Sequence, residues 1–132
     1  VAPSRTFLEK ALLLSEELQK EKPRSLRMSR HLYDLDRLMD TEFTQKSLND
    51  GELYKAIVEH RRRFYHLGYV DYDKDYPTSI DFIPKNEVLK AYRLDYETNM
   101  VDGYIYGEAK SFEDLMKRMD ELLQKFRQVI IH

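Results

Sequence analysis

At 132 residues the chain is long enough for one domain with a buried core and too short for two. Lys and Arg number 22 against 24 Asp and Glu, and a formal charge of −2 excludes a nucleic-acid binder that works by bulk charge; such a role needs a local basic patch. Without cysteine there are no disulfides and no thiol chemistry, and no apolar run nears the roughly 18 residues of a membrane span, so the expected setting is the cytoplasm with no membrane partner.

The opening VAPSRTF has neither the basic region nor the apolar core of a signal peptide, and Val1 in place of methionine reads as a cut through a longer protein. Pro3 and Ser4 suit a helix start, with Phe7, Leu8, Ala11, Leu12, Leu14 and Leu18 as its apolar face through about Lys20. The break at Lys22, Pro23, Arg24 and Ser25 separates it from a second helix, expected over residues 26–40. There Met28, Leu32, Leu35 and Met39 recur at helical steps as a buried stripe, while Arg27, Arg30 and Asp34 recur on another side. One rigid element thus carries a packing face and a charged face of mixed sign.

A polar connection with a short turn at residues 43–48 leads to Asp50, which can cap a third helix through about His66, with Leu53, Ile57, Phe64 and Leu67 inward. Gly68 suits the end of that helix. Residues 69–83 are rich in Tyr, Asp and Pro and read as one long loop, with at most a short extended piece at residues 79–83. A fourth helix is expected from Pro84 to about Val101, apolar at Val88, Leu89, Tyr92, Tyr96 and Met100. Gly103 and Gly107 then bracket the aromatic stretch of Tyr104, Ile105 and Tyr106. Ser111 with Asp114 forms a start like a capping box for the last helix, whose face is Phe112, Leu115, Met116, Met119, Leu122, Leu123 and Phe126. The fold class is therefore mainly all-α: a single domain over residues 1–132, an irregular bundle of about five helices.

Four groups of residues invite chemistry. Lys10, on a mostly apolar helix, is either a point charge for a triphosphate or a lysine whose stem lies along the surface with its head in water. Arg30, His31 and Asp34 combine a phosphate ligand, an orienting donor and a proton acceptor or metal ligand, or they belong to an exposed helix with an ordinary Arg–Asp pair. His60, Arg61, Arg62 and Arg63 are the one dense basic run. They span a full helical turn and so cannot all face one phosphate backbone, although Tyr54 and Tyr65 lie close enough in sequence to offer stacking surfaces. Asp71, Asp73 and Asp75 alternate like a calcium loop, but Tyr76 and Phe82 stand where that loop needs glycine and glutamate, so a polar loop is the better account. No Gly-rich phosphate loop, HExxH, GxSxG or paired zinc-ligand spacing is present.

Taken in order, RTFLEKALLL (residues 5–14), SRHLYDL (29–35), VEHRRRF (58–64), the IP at 83–84, LDYETNM (94–100), YGE (106–108) and SFEDL (111–115) resemble the AbiEii/AbiGii toxin family of bacterial nucleotidyltransferases, specifically its C-terminal helical half. The resemblance covers essentially the whole chain. It implies a polymerase-β-like nucleotidyltransferase domain upstream, whose Gly-Ser turn and Asp-x-Asp pair hold the catalytic Mg2+. No such motif stands in a suitable context here, so the metal's main ligands are expected outside this chain.

The resemblance further implies that Lys10 contacts the phosphates of the NTP substrate and that Asp34 is essential in the site. Arg30 and His31 fall in the same motif, where the commoner family variant has other residues. With helices one and two antiparallel across the turn at Pro23, Lys10 and Asp34 are expected to converge. The implied reaction is attack by an RNA 3′ hydroxyl, notably at the tRNA acceptor end, on the α-phosphate of the triphosphate, in a toxin paired with an antitoxin. The chain alone would be inactive. A competing reading is a non-catalytic helical module that binds RNA through His60, Arg61, Arg62 and Arg63, or an antitoxin-like partner through the aromatic stretch at residues 104–106.

Overall fold

The apolar periods of the sequence become six α-helices in the computed structural model, which describes residues 3–20, 22–65, 68, 70–100 and 110–129. They are α1 (Pro3–Glu17), α2 (Ser29–Leu38), α3 (Glu42–Asn49), α4 (Gly51–Tyr65), α5 (Asn86–Asp95) and α6 (Phe112–Arg127). No strand occurs among the described residues, and the fold is all-α as expected. The sixth helix is the polar connection, which forms two turns as α3 instead of a single short turn.

Helix α1 stops at Glu17 rather than Lys20. Its end tightens into bonds from Gln19 N–H to the Glu16 carbonyl and from Lys20 N–H to the Glu17 carbonyl, three residues back in each case, as helix ends commonly do. Asp50 plays two parts. Its N–H bonds back to Ser47, while its side chain accepts the N–H of Leu53 at 2.9 Å and so caps α4. The long loop holds a 3-10 turn (Tyr72–Asp75), whose N–H of Asp73 bonds to the Asp71 side chain. Residues 79–83 pair with no strand, yet their alternation survives: Ile80 and Phe82 are buried and Asp81 and Ile83 are half-buried. Helix α5 gives way to a π-helical turn (Tyr96–Met100) where one continuous α-helix was expected. Val101, Leu67, His66, Gly103, Gly107 and the aromatic stretch at 104–106 lie outside the described residues.

Phe126 sits where the layers meet. Its ring lies 5.9 Å from Phe7 of α1, 6.1 Å from Tyr54 of α4 and 5.4 Å from Phe82 of the loop, the last two edge-on. Around it α1 packs on α2, α3 and α4, while α2 packs on α5 and α6. The stripe of Met28, Leu32, Leu35 and Met39 is buried in full, as is the α6 face except for half-buried Met116. On α4 the inward face differs from expectation. Tyr54, Ile57, Val58 and Arg61 point in, whereas Phe64 is 66% exposed, because Arg61 finds a buried carboxylate partner on α1 and takes the inward position.

Ser111 caps α6, accepting the N–H of Asp114 at 3.1 Å. Ser111→Ala is expected to cost about 1 kcal/mol, read by urea denaturation, whereas Ser111→Asp should be close to neutral because aspartate caps equally well.

Candidate functional site

Helices α1 and α2 meet with opposite directions. Ser4, near the start of α1, bonds to Phe43 beyond the end of α2, while Glu17, at the other end of α1, lies 3.7 Å from Arg24 ahead of α2. This arrangement places Lys10 and Asp34 at matching heights, and the Lys10 ammonium lies 3.0 Å from the Asp34 carboxylate. The two side chains are 26% and 23% exposed, so both are half-sheltered yet reachable from solvent. The expected convergence is thus present in the fold.

His31 adjoins this pair. Its ring is half-buried, and its Nδ1 is shielded from solvent with no hydrogen-bond partner among the described residues. Burial, followed by the positive charges of Lys10 and Arg30, holds its pKa below the ordinary 6.5, with Asp34 partly opposing, so the imidazole is neutral at pH 7. Arg30 is exposed on α2, whereas Arg27, expected on the same charged face, is exposed in the turn ahead of it, because the helix begins at Ser29 rather than residue 26 and Arg27 has φ 61. The result is a cationic rim of Lys10, Arg30 and Arg24 around an imidazole that has hydrogen-bonding capacity unused.

Two carboxylates of the RHLYDLDRL stretch take different fates. Asp34 faces Lys10, whereas Asp36 is buried and faces α6, accepting from Arg118 Nε at 2.8 Å and from the Lys110 ammonium at 3.0 Å. Arg118 also pairs with Asp40. Asp36 therefore anchors α2 and leaves Asp34 for the site. At the other end of α2, Asp95 supplies the acceptor that the helix itself lacks. It takes the N–H of Arg27 at 2.7 Å, the N–H of Ser29 at 3.1 Å, the Ser29 hydroxyl, and the Asn99 amide at 2.8 Å. Burial works against its charge, but these hydrogen bonds prevail and hold its pKa below the ordinary carboxylate range. Sequence reading missed Asp95, since 66 residues separate it from Ser29. The one available signal was the absence of Ser, Thr, Asp or Asn just ahead of Ser29.

The basic run divides as its helical spacing requires. Arg61 is turned into the protein, where Nε and Nη2 grip the two oxygens of Glu16 at 2.6 and 2.7 Å, so its assignment to a phosphate contact is corrected to a buried ion pair. Arg62 pairs with exposed Asp73 at 2.6 Å. His60 stacks on Phe64 with ring centroids 4.6 Å apart, and with Arg62 and Arg63 these rings line an open groove on α4. Tyr54 cannot serve as a stacking surface, being fully buried, and the guanidinium of Arg61 covers the ring of Tyr65 at 4.9 Å.

Among the described residues, no three His, Asp or Glu side chains come together as a metal site.

The family model described as Nucleotidyl transferase AbiEii toxin, Type IV TA system matches residues 1–124, and the chain belongs to that family. Membership in a toxin–antitoxin family points to an antitoxin as a partner. No match occurs among curated proteins or among solved structures. No helix among the described residues is long and apolar enough to cross a membrane.

Proposed function

We propose that this chain is the helical part of a toxin that transfers nucleotides from an NTP to the 3′ end of an RNA such as tRNA, in the cytoplasm. On this reading the Mg2+ ligands lie outside these 132 residues, and the chain alone is inactive. One observation carries the reading: Lys10 and Asp34, brought together from separate helices to 3.0 Å, occupy the two positions that the family resemblance marks as functional.

Lys10 supplies a mobile positive charge that can leave Asp34 for the phosphates of an incoming triphosphate, and Arg30 adds a forked donor at the rim. Asp34 is left to orient the ammonium or accept a proton. Neutral His31, half-buried with Nδ1 turned inward, leaves only the outer part of its ring to meet a phosphate oxygen or a ribose hydroxyl. Exposed Arg63 with His60, Arg62 and Phe64 offers RNA both charge and a ring face.

A structural ion pair makes the opposite prediction from a catalytic one. A half-exposed pair contributes about 0–1 kcal/mol to stability, so Lys10→Ala and Asp34→Asn should unfold within a few degrees of the parent protein. In the whole protein, each substitution is expected to reduce transfer of labelled nucleotide to RNA by about 100-fold or more, the effect typical of losing a group that acts in the transition state. Parent-level transfer by both variants would discard the reading.

A further inference from the structure

Helix α2 carries Arg30, His31 and Asp34, yet its own N-cap residue, Met28, has no side chain able to accept a hydrogen bond. The first helical N–H groups need acceptors, and Ser29 is fully buried, where water cannot stand in. The acceptor comes from the end of α5. With four donors on two carboxylate oxygens, the capacity of Asp95 is filled. Two further features converge there. Arg27 has φ 61, a left-handed conformation unfavourable for arginine, and its N–H is held by Asp95. Asn99, which donates to the same Asp95 oxygen as the Arg27 N–H, lies in the π-helical turn, a rare local form that recurs at functional positions.

We propose that Asp95 is a positioning residue for the Lys10–Asp34 site, fixing the first turn of α2 and so where Arg30 and His31 stand relative to α1. This inference rests on the site reading above. Ser29 is one residue from Arg30 and two from His31, so any rotation of the first turn carries both side chains with it. Orientation matters steeply in group transfer, where a misplacement near 1 Å can lower a rate by roughly 100-fold. An ordinary cap would protect the helix without needing a left-handed residue and a partner turn to hold it. The Lys10–Asp34 contact itself is further along α2, anchored by Asp36, so loss of the clamp should leave that end of the helix in place.

The test uses the whole protein with Asp95→Asn, which keeps shape but turns one acceptor oxygen into a donor facing N–H groups. Expected are faster amide hydrogen exchange over residues 29–32, unchanged exchange over 35–38, and a fall in kcat/KM for the NTP of about 10-fold or more, with KM raised. Leu123→Ala, a buried apolar position on α6, is the matched control for general destabilisation. Assayed at the same interval below its own Tm, it should keep the parent KM. Faster exchange in Asp95→Asn with parent kcat/KM and KM would overturn the positioning role and reduce Asp95 to a cap. Parent exchange would overturn the clamp itself. Parent transfer by Lys10→Ala and Asp34→Asn would instead remove the site reading, an outcome separate from either.

Discussion

Arg61→Ala should destabilise the protein by about 3–5 kcal/mol, because it leaves a buried carboxylate without its counter-charge. For a chain of this size that corresponds to a fall in Tm of roughly 10–20 °C, a large share of a typical domain's stability. The Glu16 side chain is 2% exposed and its partner 8%, so water cannot replace the guanidinium. Burial alone would lower the pKa of Arg61, but the Glu16 hydrogen bonds and charge, with Tyr65 and Asp75, raise it instead, so the arginine stays charged. An uncompensated charge, more than a lost contact, is the source of the penalty. The double variant Glu16→Leu with Arg61→Met should therefore recover most of the loss, since apolar groups of similar size remove both charges at once. Thermal unfolding of the single and double variants decides this. A double variant as unstable as Arg61→Ala would refute the ion-pair account. Exposed Arg63→Ala, by contrast, should shift stability by about 0.5 kcal/mol or less and act, if anywhere, on RNA binding.

That contrast shows where sequence reading reached and where it stopped. Local periodicity was enough for the stripe of Met28, Leu32, Leu35 and Met39 and for the α6 face, because a helix buries whatever recurs at its own period. Caps at Asp50 and Ser111 were equally legible, since the acceptor and its N–H lie within three residues. Arg61 was misread for a different reason. Its place at i, i+3, i+4 and i+7 with Tyr54, Ile57 and Val58 is a core position; the run was too wide to face one phosphate backbone, yet Arg61 was still counted among its phosphate contacts. The spacing was the better guide. Lys10 and Asp34 came from family resemblance plus the expectation of antiparallel neighbours across a short turn. Asp95, Asp36 and Asp75 lay beyond either method. Each depends on a partner tens of residues away, and no local pattern tells a buried carboxylate from an exposed one.

Raising the pH from 5 to 9 should weaken the protein progressively, and Asp75→Asn should flatten that decline. Asp75 is fully buried, and neither of its oxygens meets a donor among the described residues. A deprotonated carboxylate there would be stranded. Burial first, then a hydrogen bond to Glu16 and the charge of Glu16, push its pKa up from 3.8 to about 9, with Arg61 and Arg62 opposing. The carboxyl thus keeps its proton and can donate it to Glu16, which Arg61 already grips. Tyr54 closes the other side by donating its hydroxyl to the Asp75 backbone carbonyl at 2.5 Å.

The sign follows from proton counting. Between about pH 4 and pH 9 the folded state holds a proton on Asp75 that the unfolded state has released, so stability falls as pH rises through that window. Asp95 acts in the opposite sense. Its lowered pKa stabilises the fold above the ordinary carboxylate value, and this contribution disappears as acid protonates it in the folded state. Asparagine at position 75 keeps a donor for Glu16 without having to retain a proton. At pH 8 Asp75→Asn should therefore be more stable than the parent by about 1 kcal/mol or more, the worth of a single pKa unit, while near pH 4 the advantage should vanish. Urea denaturation of both proteins from pH 4 to 9 measures it directly. Parallel pH profiles would show that Asp75 is ionised in the fold, and that Arg61 neutralises two carboxylates where the geometry gives it one.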